Sequence, residues 1–298
     1  MKMTLGTLLE EGKERLEKAG VPDPLLDARF LLLDVFDMNF ASFLVKRDRP
    51  LTETENGTNV TEADTDTRKK IDKYWELISK REMRIPLQQI TGVQEFMGLE
   101  FYVNEHVLIP RQDTETLVEL ILNEHKEKNI SLLDVCTGSG CIAVSLAKLG
   151  GYADVTALDL SEEALKVAKS NGEKLLDHPV KFIKSDMFSA LDPENRYDVI
   201  VSNPPYIPSQ VIEGLEPEVK DHEPRMALDG EPDGLKFYRI LAEEGKKYLK
   251  NGGEIYMEIG WDQAKDVTKI FETMGFKGLR TVRDMTGNDR VVCARKEK

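Results

Sequence analysis

From Ile130 onward the chain alternates short apolar runs with amphipathic ones, and this constrains the fold more than any other feature. Ser131 to Val135, Val155 to Asp159, Lys181 to Lys184, Asp198 to Val201 and Glu254 to Ile259 read as strands. Between them Ile142 to Leu149, Glu162 to Leu176, Gly234 to Leu249 and Gln263 to Met274 carry apolar residues at helical spacing. Thr281-Val282 and Arg290 to Ala294 look like a closing pair of strands. Such alternation predicts an α/β fold, a doubly wound, mostly parallel sheet with helices on both faces.

The front of the chain has a different character. Leu5, Leu8, Leu9, Leu16 and Ala19 recur at three-to-four spacing, and Gly20-Val21-Pro22 ends that helix. The run from Pro24 to Val35 predicts a second, more deeply buried helix, and Ile71 to Arg84 a further one with Trp75, Leu77 and Ile78 inward. Leu51 to Thr67 is polar and nearly free of aliphatics, and reads as an exposed loop. Glu95 to Val103 reads as a hairpin with Gly98 near its turn. The expected division is a helical recognition domain over residues 1–85, a hairpin linker over 86–110 and a catalytic domain over 111–298.

Charge and cysteine usage narrow the function. The 298 residues carry a formal net charge of −13, whereas a protein that grips nucleic acid through phosphates presents a basic face. No direct nucleic-acid partner is expected. Cys136, Cys141 and Cys293 have no CxxC spacing, so neither a disulfide framework nor a metal site is expected. No apolar run nears the roughly 20 residues that span a bilayer, and the first residues lack a hydrophobic signal core. A soluble, cytoplasmic protein, monomeric by default, is the expectation.

Three strand ends carry the candidate cofactor-binding residues. The first, Asp134-Val135-Cys136-Thr137-Gly138-Ser139-Gly140, is a glycine-rich turn at the carboxyl edge of the sheet, where open α/β folds bind ligands. The second ends in Asp159 and Leu160; a carboxylate there can accept from both hydroxyls of a ribose. Ser161 suits the cap of the next helix, which leaves Asp159 without a structural task. The third ends in Asp186 and Met187, an acceptor and an apolar surface for an adenine; a helix cap is the competing reading of Asp186. A P-loop is excluded because no Gly-Lys-Ser/Thr follows, and the dinucleotide pattern G-x-G-x-x-G fits loosely. A nucleoside cofactor without a pyrophosphate, S-adenosylmethionine, suits the loop better.

The fourth strand ends in Asn203-Pro204-Pro205-Tyr206. Two prolines stiffen the corner and remove two donors, leaving free carbonyls, while Asn203 can both accept and donate and is expected to face the cofactor's methyl group across the switch point. This corner resembles that of the amino-methyltransferases, which modify glutamine side chains or exocyclic base nitrogens. Pro86 to Gly92, Phe96 to Leu99, Val107 to Glu115, Glu223 to Gly230, Asp233 to Leu235 and Tyr238-Arg239 narrow the resemblance to the peptide chain release factor glutamine methyltransferases. It covers nearly the whole chain. It implies a Rossmann-like class I methyltransferase domain, with a seven-stranded sheet and a closing antiparallel strand, behind a small helical domain. It also implies transfer of a methyl group from S-adenosylmethionine to the glutamine of a Gly-Gly-Gln tip in class 1 release factors.

On this reading the Asn203 side-chain oxygen and the Pro204 carbonyl accept the two amide hydrogens of the substrate, and Tyr206 packs against its stem or amide plane. No base with a tuned pKa is evident beside the corner. Arg111 and Glu115 read as domain-joint residues first and substrate contacts second. Glu223-Pro224 reads as a wall of the substrate cleft or as a structural loop. The family usually has glycine at the position of Cys136 and proline at that of Gln112. Rival readings are a glutamine methyltransferase for a ribosomal protein, an adenine methyltransferase for nucleic acid, and a cofactor-binding protein without activity.

Overall fold

The computed structural model describes residues 3–51 and 62–297, and its chain divides into two compact units, Met1–Thr91 and Gly92–Lys298. Residues 86–91 of the expected linker thus fall in the first unit and 92–110 in the second.

The first unit is helical: α1 (Leu5–Lys18), α2 (Pro24–Val35), α3 (Phe40–Lys46), α4 (Glu62–Glu82) and the short α5 (Leu87–Thr91). Thr4 and Thr7 close a reciprocal capping box at the start of α1, which satisfies backbone donors that a helix end leaves free. Leu5, Leu8, Leu9 and Leu16 turn one stripe inward against Tyr74, Leu77 and Ile78 of α4. Two expectations are corrected here. Helix α2 is not deeply buried all round: Ala28, Leu31 and Leu32 are buried, whereas Leu25, Leu26 and Phe30 are exposed. A 3.6-residue period lets only one stripe of a surface helix reach the core. Helix α4 starts at Glu62, nine residues before the expected Ile71. Its first turns carry no apolar periodicity, and they are supported instead by pairs such as Asp66–Lys70 at i,i+4 spacing. Residues 52–61 of the expected loop lie outside the described residues.

The second unit opens with the hairpin β1 (Val93–Phe96) and β2 (Leu99–Tyr102). Met97 and Gly98 at its turn both take positive φ, the two-residue geometry that follows strand twist. Then come α6 (Gln112–Glu124), β3 (Ser131–Val135), α7 (Cys141–Gly150), β4 (Asp154–Asp159), α8 (Glu162–Leu175), β5 (Lys181–Lys184) and β6 (Tyr197–Ser202). Three single turns follow, α9 (Ser209–Ile212), α10 (Pro217–Lys220) and α11 (Arg225–Leu228). The chain ends in α12 (Lys236–Glu243), α13 (Gly245–Tyr248), β7 (Leu249–Glu258), α14 (Ala264–Thr273), β8 (Lys277–Arg283) and β9 (Asp289–Arg295). Strand β7 begins at Leu249 rather than Glu254, because a register shift opposite Tyr197 and Val199 absorbs Asn251-Gly252-Gly253 within the strand.

The sheet has seven strands in the order β5-β4-β3-β6-β7-β9-β8, and β9 runs antiparallel to both β7 and β8. Alternate residues of each strand enter different cores. Leu132, Val199, Val201 and Tyr256 meet Leu117 and Ile121 of α6 and Val144 of α7 on one face. Leu133, Val135, Ile200 and Ile255 meet Leu241 of α12 and Phe271 of α14 on the other. Each such side chain, fully buried, contributes about 1.5–3 kcal/mol, and coverage of both faces is why the strands read as continuous apolar runs.

Candidate active site

The sheet's topology brings two strand ends together. β3 pairs with β6 in parallel and Val135 lies opposite Ser202, so the residues that follow, Cys136 and Asn203, leave the sheet side by side. The chain proceeds from β3 toward β4 and from β6 toward β7, in opposite directions, which makes this the switch point where open α/β sheets take ligands. The Ser202 hydroxyl donates to the Val135 carbonyl at 2.7 Å and fixes the two ends together.

A cleft opens there, lined by Cys136, Thr137, Gly138, Ser139, Asp159, Leu160, Asp186, Met187, Asn203, Pro205, Arg111 and Pro224 from the expected set. His106, Leu108, Thr114, Met226 and Phe237, which the sequence did not single out, complete its walls. Asp134, Gly140, Pro204, Tyr206, Glu115 and Glu223 are not among the lining residues.

The glycine loop is held from beneath. The Thr137 amide donates to the Leu158 carbonyl at 2.9 Å, and its hydroxyl donates to Asp134 Oδ2 at 2.6 Å. Asp134 is wholly buried, and its Oδ1 has no hydrogen-bond partner. Burial pushes this carboxyl up to about 7, against the Thr137 hydroxyl and the Ala143 amide. Cys136 sits at φ 64° and Met187 at φ 48°. That left-handed region costs a side chain about 1–2 kcal/mol and glycine nothing comparable, a physical reason for glycine at the position of Cys136. Gln112 is the first residue of α6, the helical position that proline fits best.

Asp159 does have a structural task. Its Oδ2 accepts from the Gly138 amide at 2.8 Å and its Oδ1 from the Ser161 amide at 2.9 Å, so it staples the glycine loop to the end of β4. Each oxygen keeps a lone pair for a ligand. Ser161 caps α8 by accepting from the Ala164 amide at 3.1 Å. Asp186 is exposed and caps no helix; Ser185 organises that turn, its hydroxyl donating to the Met187 carbonyl at 2.7 Å. This donor set fits a nucleoside: carboxylates at the ends of β4 and β5, with Leu158, Leu160 and Met187 as apolar walls between them.

At the corner the Asn203 Nδ2 donates to the Thr114 hydroxyl at 3.3 Å, which leaves its Oδ1 as the group free to accept from a ligand. Pro204 is buried between Asn203 and Pro205. Tyr206 departs from expectation. Its hydroxyl turns into the protein and donates to Glu258 Oε1 at 3.2 Å, and its ring packs against the core beneath the sheet edge. The reason lies behind it, where Gln263 Nε2 donates to the Tyr206 carbonyl at 3.0 Å and to that of Gly234 at 3.3 Å. Gly234, at φ 70°, approaches so closely that a Cβ there would lie 2.4 Å from the Tyr206 oxygen. Behind Tyr206, burial pushes the Glu258 carboxyl up to about 6, but Glu258 is not among the residues that line the cleft.

Glu115 and Glu223 serve neighbouring backbone. Glu115 accepts from the Met97 amide at 2.6 Å in the hairpin turn. Glu223 accepts from the Ile109 amide at 3.0 Å and pairs with Arg111 at 2.5 Å, so the segment before α11 is tied to the stretch before α6. Arg111 and Pro224 face the cleft while Glu223 holds them from behind.

Known proteins fit this arrangement. A methyltransferase domain model matches residues 126–289 and a PrmC N-terminal domain model residues 7–58. A release factor glutamine methyltransferase of Fusobacterium nucleatum is 40% identical over 97% of this chain and 78% of its own length. One from Clostridium botulinum is 39% identical over 99% of this chain and 100% of its own. The crystal structure of a methyltransferase from Pyrococcus furiosus shares the fold, with a TM-score of 0.51 at 19% identity over 68% of this chain and 91% of its own. The chain belongs to the release factor glutamine methyltransferase family.

Proposed function

We propose that this protein methylates the side-chain amide nitrogen of the glutamine in the Gly-Gly-Gln tip of class 1 peptide chain release factors, with S-adenosylmethionine as methyl donor. The observation that carries this reading is the Asn203 amide, held by Thr114 with its oxygen left to accept, beside a cleft with carboxylates placed for a nucleoside. Similarity to release factor glutamine methyltransferases over nearly the whole chain supports the same substrate. The net charge of −13 favours a protein partner over nucleic acid. The helical first unit, most of which matches the PrmC N-terminal domain, is assigned to recognition of that partner, and a monomer suffices for the chemistry.

Asp159 and Asp186 would hold the ribose and the adenine, with Leu160 and Met187 beside them, and the loop from Cys136 to Gly140 the remainder. When bound, the cofactor supplies an electrophilic methyl group on a sulfonium sulfur. The residues of the chain have a positional task, because an amide nitrogen is a poor nucleophile whose lone pair is shared with its carbonyl. Asn203 Oδ1 and the Pro204 carbonyl each accept one amide hydrogen and turn the nitrogen toward the cleft. Such positioning supplies on the order of 7–11 kcal/mol in favourable cases. Pro204 and Pro205 keep the acceptors from relaxing away, and Arg111 and Pro224 border the entry of the glutamine stem.

Incubation of the protein with unmethylated release factor and S-adenosylmethionine, followed by peptide mass spectrometry, tests the proposal. A gain of one methyl group on the tip glutamine is expected. No gain on an intact release factor, with cofactor binding shown separately, would refute the substrate and direct attention to a ribosomal-protein glutamine.

A further inference from the structure

We infer that Arg111 reads the main chain of the methylated tip: its guanidinium donates to a peptide carbonyl of the glycines beside the target glutamine. This role rests on the substrate assignment above. Two glycines offer no side chain to recognise, so an enzyme can grip them only through their peptide N–H and C=O groups. The proline corner supplies acceptors for the N–H groups. The carbonyls need a donor.

Much of the cleft wall cannot donate. Pro110, Pro205 and Pro224 line it without an N–H, and Leu108, Met226 and Phe237 contribute apolar side chains. The lining hydroxyls of Thr137 and Ser185 spend their protons on Asp134 and on the Met187 carbonyl. Arg111 is the only arginine or lysine among the described lining residues. Its side chain is 42% exposed, while that of its partner Glu223 is 1% exposed. Glu223 Oε2 accepts one N–H of the guanidinium at 2.5 Å, and Oε1 accepts the Ile109 amide at 3.0 Å. A guanidinium carries five N–H groups in a rigid fork and no acceptor. A bond to a buried carboxylate therefore fixes the fork and leaves donors for the cleft. An unheld arginine would lose rotamer freedom on gripping a carbonyl; Glu223 has already removed that freedom.

The arginine is also tied to the group that orients the substrate amide. Arg111 is the cap residue of α6, with extended backbone at φ −100° and ψ 144°. The Thr114 amide donates to the Arg111 carbonyl at 3.1 Å, and the Thr114 hydroxyl accepts from Asn203 Nδ2 at 3.3 Å. One residue in the first turn of α6 thus links the backbone of Arg111 to the side chain of Asn203. The guanidinium charge reaches the Tyr206 hydroxyl as well, which lies behind the same corner. A tip whose glutamine amide rests on Asn203 brings its preceding peptide groups past this first turn.

The test is steady-state methylation of unmethylated release factor by the wild type, Arg111→Met, Arg111→Lys and the double variant Arg111→Met/Glu223→Gln. Thermal midpoint and cofactor affinity are measured on each. Loss of a bond from a charged donor should lower kcat/KM in Arg111→Met about 10- to 100-fold. The loss falls mainly on KM for the release factor, because the contact is made equally in the bound substrate and the transition state. Cofactor affinity is expected unchanged. Arg111→Lys should recover little, since a flexible point charge cannot hold Glu223 and a carbonyl in one plane. Arg111→Met also leaves the buried Glu223 charge unpaired and should lower the thermal midpoint. Glu223→Gln removes that charge and keeps an acceptor for the Ile109 amide, so the double variant should regain the midpoint while its KM stays high. An unchanged KM in Arg111→Met overturns the inference. So does a KM that recovers with the midpoint in the double variant, or one that rises only in step with a loss of cofactor affinity, since the arginine then merely holds the wall. In those cases the wild type still methylates the tip and the substrate assignment stands. A wild type that leaves the release factor unmethylated overturns the substrate assignment and this inference with it.

Discussion

The buried carboxyl beneath the glycine loop makes a quantitative prediction about stability. Asp134 is wholly buried and pushed from 3.8 to about 7, chiefly by burial. Its folded form therefore binds a proton more tightly than the unfolded chain by about three decades, which is worth about 4 kcal/mol. Because the folded pKa is raised, the contribution is fully present below about pH 3.8 and is lost as pH rises through about 7. Replacement of Asp134 by Asn preserves the shape and the acceptor for Thr137, and removes the titration. At any one pH the variant can be more or less stable than the wild type, since an amide NH2 replaces the unpartnered Oδ1. The change with pH is the diagnostic. Between pH 5 and pH 8 the variant should gain about 2–3 kcal/mol on the wild type, the part of the 4 kcal/mol that falls in that window. Urea unfolding followed by circular dichroism at pH 5, 6, 7 and 8 measures it, and titrating groups common to both proteins, Glu258 among them, cancel. A stability difference that stays constant over this range would show that Asp134 is ionised in the folded protein at pH 5, and the burial argument would be wrong.

Two further substitutions probe the site. Asn203→Ala removes the acceptor that orients the amide and should lower kcat by on the order of 100-fold, far more than it lowers cofactor affinity read by calorimetry; full turnover would remove Asn203 from the chemistry. Gly140→Ala places a Cβ 3.0 Å from the Ala168 Cβ and 3.2 Å from its Cα at a φ of 79°, whereas Gly138→Ala, at φ 54°, meets nothing within 4 Å. Both carry left-handed strain of about 1–2 kcal/mol, so the first should lower the urea midpoint clearly more than the second, and equal effects would refute the crowding of α7 on α8.

Much of the catalytic half was legible in the residues. Near-continuous apolar runs announce a sheet covered on both faces, and the strand ends near Val135, Asp159, Lys184 and Ser202 follow from where those runs stop. Chain order through β3, β4, β5 and β6 then places the glycine loop, Asp159, Asp186 and Asn203 on one edge, because parallel strands present all their carboxyl ends together. Local chemistry sufficed also for Ser161 as a helix cap and for the turn at Met97 and Gly98. The start of α4 was not legible, since its first turns bear charge without apolar period and are supported by pairs such as Asp66–Lys70.

What tertiary structure alone decided is how these side chains face one another. The sequence places Tyr206 at the corner but cannot show that its hydroxyl turns inward, because that depends on Gln263 and Gly234 approaching from segments 57 and 28 residues away. Nor can it show that Asp159 spends a lone pair of one oxygen on the glycine loop and one of the other on the Ser161 amide, or that Glu223 holds Arg111 from behind the cleft. Glu258 and Thr114 illustrate the general reason. Each is an ordinary polar residue in an amphipathic or apolar run, and neither has a spacing that marks it. They reach the site only when β7 and α6 come beside β6, where Thr114 accepts from Asn203, Glu258 accepts from Tyr206, and burial raises the Glu258 pKa. Periodicity along a chain encodes which face is buried; the direction of a hydrogen bond inside that face is set by neighbours distant in sequence.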